Sequence, residues 1–198
     1  MPLPPSVPRD ELHLRRIELT GYRRHDGLYD IEARMVDTKN SEIRLLDGRR
    51  LPAGDALHDM SVRMVVDEAL TVIDIMASTD ASPFGICVEA TDTLQTMKGF
   101  KIAHGWSQVV RERLSGRKGC THLTELLGPL ATVAFQTLSQ VRLAKPAAVD
   151  AKGRPLKIDT CYAYASDREV VQRLWPAHYD ETDARARGRK DAMPPSNE

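Results

Sequence analysis

The sequence predicts an α+β fold, in which an antiparallel sheet of two N-terminal hairpins packs against C-terminal helices. Three observations carry this prediction. Apolar and polar residues alternate with a period of two across residues 14–22, 28–36, 60–66 and 70–77. From Trp106 to Leu138 the apolar residues recur instead at helical spacing. The connections between the alternating runs are also too short for the crossover that parallel strands need, so pairing is antiparallel.

Each element has its own justification. In residues 28–36, Ile31, Ala33 and Met35 are set against Asp30, Glu32 and Arg34, which is the pattern of a half-buried strand. Residues 23–27, Arg-Arg-His-Asp-Gly, join it to the preceding strand through an Asp-Gly pair suited to a tight turn. Met60, Val62, Met64 and Val66 share one face of a third strand, and after Asp67-Glu68-Ala69 residues 70–77 resume the extended pattern as a second hairpin. Trp106, Val109, Val110 and Leu114 lie at i, i+3, i+4 and i+8, giving an amphipathic helix that Gly116 is placed to end. A second helix is expected from Cys120 or Thr121, with Thr121 accepting from a first-turn amide. Leu123, Leu126, Leu127, Leu130, Ala134 and Leu138 form its stripe. Gly128-Pro129 is expected to kink or break it. Residues 144–154 read as a loop, 157–164 as a closing strand and 167–174 as a short helix.

Composition bounds the organisation. A chain of 198 residues with 41% hydrophobic residues can bury a full core in one domain. The expected division is a flexible Pro-rich N-terminus over residues 1–13, a single α+β domain over 14–180, and a disordered charged tail over 181–198. Basic and acidic residues balance at 28 each, which provides no overall basic field for a phosphate backbone, so no nucleic-acid partner is expected. No apolar run approaches the roughly 18 to 20 residues of a membrane span, so no membrane partner is expected either. Three cysteines and an N-terminus without an apolar leader segment suit a soluble protein of a reducing cytoplasm.

The densest chemistry lies in Gly119-Cys120-Thr121-His122-Leu123-Thr124-Glu125, a thiol, an imidazole and a carboxylate at a helix start. The helix N-terminus favours the thiolate of Cys120, and Cys-x-His supplies two soft ligands for a metal. The same pair also reads as a small buried cysteine with a hydrogen-bonded neighbour. His58-Asp59 is a second candidate, because a carboxylate beside an imidazole fixes its tautomer for general-base or ligand duty. Adjacent strand residues point to opposite faces, however, and a solvated pair is the alternative. Asp80, in Ser-Thr-Asp-Ala-Ser-Pro over residues 78–83, suits either a general acid or a turn. Tyr22, Arg23 and Arg24 at the first hairpin, and Trp106 and Arg111 on the first helix, can bind a carboxylate or phenolate if they face a pocket. Otherwise they are surface or packing residues.

Several separated segments carry a family resemblance. They are Arg15-Arg16-Ile17, Arg23 through Asp30, His58-Asp59-Met60, Thr79 through Phe84, Gly105-Trp106, Gly119 through Leu138, and Ile158-Asp159-Thr160-Cys161. Together they resemble an uncharacterised bacterial family, domain of unknown function 2889, over about residues 14–180. That family is associated with bacteria that break down aromatic compounds, which implies a small-molecule role. A more remote resemblance is to U-type iron–sulfur scaffold proteins, which also run from antiparallel strands into helices and so imply a scaffold-like topology. Asp59 then matches the scaffold aspartate and Cys120 the third cysteine. Leu57 stands where the first cysteine belongs, and residues 79–85 offer no second one, so three-thiolate cluster assembly is not implied.

The expected function is therefore a lyase or isomerase of aromatic, lignin-type compounds, working by proton transfer without a redox cofactor. No dinucleotide fingerprint or phosphate loop is present. His58, Asp59, Cys120 and His122 are the expected catalytic residues, and Tyr22, Arg23, Asp80, Trp106 and Arg111 the expected substrate-binding residues. The alternative is a carrier-like module without turnover, holding a single zinc or iron ion through Asp59, Cys120 and His122. Self-association into a homo-oligomer stays open.

Overall fold

The computed structural model describes residues 3–182. They fall into two compact units divided after Val141. In the first unit, β1 (His13–Arg23), β2 (Tyr29–Lys39), β5 (Ala56–Val66) and β6 (Val72–Ala81) form an antiparallel sheet in the order β1-β2-β5-β6. A short hairpin, β3 (Ile43–Arg44) with β4 (Arg50–Leu51), interrupts the connection from β2 to β5. After β6 come a run of 3-10 turns (Gly85–Met97), then α1 (Trp106–Leu114), α2 (Thr121–Thr137) and α3 (Ser139–Leu143), the last crossing into the second unit.

The period-two pattern does what it promises. Ile31, Ala33 and Met35 of β2 and Met60, Val62, Met64 and Val66 of β5 are buried on one face, paired across the ladder as Met35 with Met60, Ala33 with Val62 and Ile31 with Met64. The first turn closes with Gly27 at φ 88°, a left-handed conformation that glycine adopts without cost, while Asp26 accepts from the Leu28 amide. In the second, the Asp67 carboxylate accepts from the Thr71 amide, and Leu70 is held at φ 65° by burial of its side chain.

Helix α2 lies on the buried face, with Leu123, Leu126, Leu127, Leu130, Ala131 and Ala134 all buried in the core. It runs unbroken through Pro129. Gly128, Pro129 and Glu125, whose carbonyl loses its amide partner to the proline, are all exposed. Water can therefore satisfy that carbonyl while the leucines on either side hold both halves down. Cys120, not Thr121, is the N-cap, and no side chain caps the first turn. α1 is as expected from its spacing, and its Trp106 indole donates to the Leu127 carbonyl of α2 at 3.0 Å. At the far end of β1, Gly21 permits close approach of α2: a Cβ there would lie 1.8 Å from Thr137 Oγ1.

The second unit contains no strand among its described residues. The expected closing strand at 157–164 is a turn followed by a 3-10 segment, Tyr162–Tyr164. The reason is local. Asp159 sits at φ 65°, its carboxylate accepts from the Ser166 amide and pairs with Arg154, and Thr160 bonds back to the Lys157 carbonyl. These polar side chains offer the backbone partners that a ladder would otherwise supply. The expected short helix is α4 (Glu169–Leu174), followed by a 3-10 turn, Pro176–His178. Of the expected charged tail, residues 183–198 lie outside the described residues, as do residues 1–2 of the N-terminus.

Candidate active site

Strand pairing builds the floor of the site. Arg15 on β1 is the ladder partner of Asp37 on β2, and Asp37 is the ladder partner of His58 on β5. The three form a row across the sheet, one register step beyond the apolar row Ile17–Met35–Met60 and on the same face. Beyond this row the β2–β5 register shifts, because Thr38 pairs with Ala56 and Leu57 is left as a bulge. The row thus lies where regular pairing of these strands ends.

Asp37 is the hub. Its side chain is 1% exposed, yet both oxygens are occupied. Arg15 donates through Nε to Oδ1 and through Nη2 to Oδ2, each at 2.8 Å, and His58 Nδ1 lies 3.0 Å from Oδ2. His13 Nε2 is 3.4 Å from Oδ1. Burial opposes ionisation of Asp37, but the Arg15 pair and the His58 bond outweigh it and hold the carboxyl below its ordinary range. The guanidinium is in turn held charged by its bonds to Asp37. An ionised Asp37 can only accept, so Nδ1 of His58 donates in this bond, and the neutral tautomer compatible with it has its lone pair on Nε2.

The first turn of α2 forms the roof. His122 and Glu125, at i and i+3, share a helical face above the row. The His122 ring centroid is 3.9 Å from that of His58, with the planes tilted by 36°. Glu125 Oε2 accepts from Arg15 Nη1 at 2.7 Å. Cys120 Sγ lies 3.9 Å from His122 Nδ1. Burial first, and then proximity to His58 and the Arg15 cation, push the His122 pKa below its usual value, so this imidazole resists protonation more than a free one. One ligand atom from each of Asp37, His58 and His122 can be chosen within 4.8 Å of the others.

The expected residues divide sharply. His58, His122 and Cys120 come together. Asp59 does not join them: it points to the opposite face of the sheet, where Arg34 grips it at 2.9 and 2.7 Å and holds its carboxyl below the ordinary range. The set Asp59, Cys120 and His122 therefore cannot share a metal, for the reason that adjacent strand residues diverge. His58 and His122 bond to or stack on Asp37, Cys120 and each other, and none of the expected substrate-binding residues is among these partners. Tyr22 lines an open groove of about 600 Å³ on that opposite face, together with Glu18, Glu32, Arg34, Arg63 and Met76. Arg23 is exposed, and Arg24 pairs with Asp26 and Asp30. Asp80 is an exposed bulge residue inside β6, skipped where Asp59 pairs with Ala81 and Met60 with Thr79. Trp106 is a packing residue held by α2, and Arg111 is exposed on α1.

Asp37 and Arg15 were not expected, and Glu125, the carboxylate of the helix-start run, had been given no role. A signal for the first two was present, since the inward parity of Ile31, Ala33 and Met35 continues to residue 37, and that of Leu19 and Ile17 continues to residue 15. A charge at an inward strand position needs a partner. Among the described residues, no helix is long and apolar enough to cross a membrane. No curated protein and no solved structure matches the chain. Residues 13–136, more than half of the sequence and the span that contains every residue of the site, match the family described as Protein of unknown function (DUF2889), and the chain belongs to that family.

Proposed function

We propose that this protein is a small-molecule lyase or isomerase that moves protons without a redox cofactor, with His58 as the general base. The observation that carries this reading is the buried bond from His58 Nδ1 to Asp37 Oδ2. It fixes the tautomer that leaves Nε2 as the proton acceptor, and it stabilises the imidazolium formed when Nε2 takes a proton. Asp37 is a positioning residue, and Arg15 keeps it ionised. His122, whose pKa is lowered and whose ring lies 3.9 Å from that of His58, supplies a second imidazole for returning the proton.

The chemistry balances without a further reagent. In an isomerase, a C–H beside a carbonyl gives its proton to Nε2, its electron pair passes into the carbonyl, and the proton returns at a neighbouring carbon. In a lyase, an O–H gives its proton to Nε2, the adjacent C–C bond breaks, and its electrons pass into a conjugated acceptor that is then reprotonated. The aromatic substrate class comes from the family resemblance rather than from the site. Three free cysteines suit a reducing cytoplasm.

The test is solvent exchange. Aromatic β-hydroxy ketones and related propanoids are incubated with the protein in D₂O, and deuterium in recovered substrate or product is read by mass spectrometry. We expect incorporation that falls about 10²- to 10⁴-fold in His58→Gln and is unchanged in Asp59→Asn. Wild-type exchange in His58→Gln removes the assignment.

A second reading is a single-metal module, favoured by the proximity of Asp37, His58 and His122. Arg15 weighs against it, because a guanidinium spanning both Asp37 oxygens occupies the lone pairs that a cation would need. Stoichiometric zinc or iron in tag-free protein, lost in His122→Ala, would put this reading first.

A further inference from the structure

We propose that Glu125 occupies the place of a substrate carboxylate, and that Arg15, beside His58 and His122, forms a recognition site for small carboxylic acids. The inference rests on the proton-transfer reading above and narrows its substrate class. It starts from how the Arg15 guanidinium is shared. Nε and Nη2 form one fork, filled by both oxygens of Asp37, which lock the plane of the group. The second fork, between Nη1 and Nη2, is only half used: Glu125 meets it through one oxygen, on Nη1. A free carboxylate can place one oxygen on each nitrogen of that fork, which a single Glu125 bond does not do.

Exposure agrees with exchange. The Glu125 side chain is 53% exposed and can swing into water, whereas Asp37, at 1%, cannot leave. The Arg15 side chain is itself 29% exposed, so its outer fork is reachable. With Glu125 displaced, its bond to Arg15 Nη1 is given up, and an incoming carboxylate replaces that charge like for like. A phenolate, with a single oxygen, fills the fork no better than Glu125 does.

The probes are 4-methoxybenzoate and its uncharged analogue 4-methoxybenzamide, titrated into the full chain by calorimetry while histidine side-chain NMR signals are followed. Benzoate is expected to bind at least about tenfold more tightly than the amide and to move the His122 and His58 signals. Glu125→Gln, which removes the competing charge without touching the core, is expected to tighten benzoate binding several-fold and leave amide binding unchanged. Equal affinities for acid and amide, no binding of either, or weaker benzoate binding in Glu125→Gln each overturn the inference. Arg15→Lys, which keeps the charge and loses the fork, should weaken benzoate about tenfold. Should that variant fail to fold, the Glu125→Gln result decides alone. Binding is read without turnover, so the two proposals fail separately. Benzoate that binds with no deuterium exchange in any acid would sink the catalytic reading only, and exchange confined to neutral substrates would sink this one only.

Discussion

The two faces of the sheet carry nearly the same ionic motif and put it to opposite uses. On the face under α2, Arg15 grips Asp37 through two bonds, and on the open face Arg34 grips Asp59 in the same fork geometry. The Asp37 side chain is 1% exposed, while that of Asp59 is 16% exposed and its arginine reaches into water at 59%. What differs is what else can reach the carboxylate. Asp37 also holds His58 and lies near His13, so its charge orients a group with chemistry to perform. Among the described residues Asp59 bonds to Arg34 alone, and that arginine lines an open groove with the Arg63–Glu32 pair. A bidentate arginine–carboxylate pair by itself therefore says little about function. Burial and a third partner do.

The largest effect that tests this contrast is loss of the hub. Asp37→Asn leaves a charged guanidinium without its buried partner and should cost about 3–5 kcal/mol in urea unfolding. Asp59→Asn should cost a small fraction of that, since water replaces the lost partner. Equal losses would show that the two faces are energetically alike. Next in size is the close approach that seats α2. Gly21→Ala, on the inner face, forces a Cβ into Thr137 and should cost about 1–3 kcal/mol by the same measurement. Thr20→Ala, one residue away on the open face, should be within about 0.5 kcal/mol of wild type. A neutral Gly21→Ala would mean that α2 is free to lift.

The smallest effect is a pH slope. The folded pKa of His122 lies below its ordinary 6.5, so in that range the unfolded chain binds the proton more tightly. Stability is then full above 6.5 and falls as pH drops through 6.5 toward the folded value, with a slope of at most about 1.4 kcal/mol per pH unit. Asp37, whose folded pKa is below 3.8, contributes stability above 3.8 that is lost as pH falls through its folded value. Two acid steps are thus expected, and His122→Asn should flatten the upper one alone. The open face supplies carboxylates but no histidine to its groove, so substitutions there should leave the upper step in place.

Much of this architecture was legible locally. Alternation at Ile31, Ala33 and Met35, and at Met60, Val62 and Met64, specifies both the strands and the face each buries, because side-chain direction in a strand depends on parity alone. The spacing of Trp106, Val110 and Leu114 specifies α1 in the same way. The break expected at Pro129 did not occur, since burial of Leu126, Leu127 and Leu130 outweighs one missing hydrogen bond on an exposed side. The strand expected at 157–164 was lost to side-chain bonds from Asp159 and Thr160, made in a unit that holds no strand among its described residues.

The candidate site divides along the same line. The sequence by itself determined that His58 and His122 are imidazoles at the start of a strand and the start of a helix, and strand alternation already argued against direct cooperation of His58 with Asp59. Only the tertiary structure decided which carboxylate serves His58. Hydrogen bonding across the ladder brings Asp37 from 21 residues away, while α2, docked by its leucines, carries His122 and Glu125 over the row. The physical reason is that strand pleating separates neighbours in sequence, whereas register and helix docking, set by burial of the whole apolar face, choose neighbours in space.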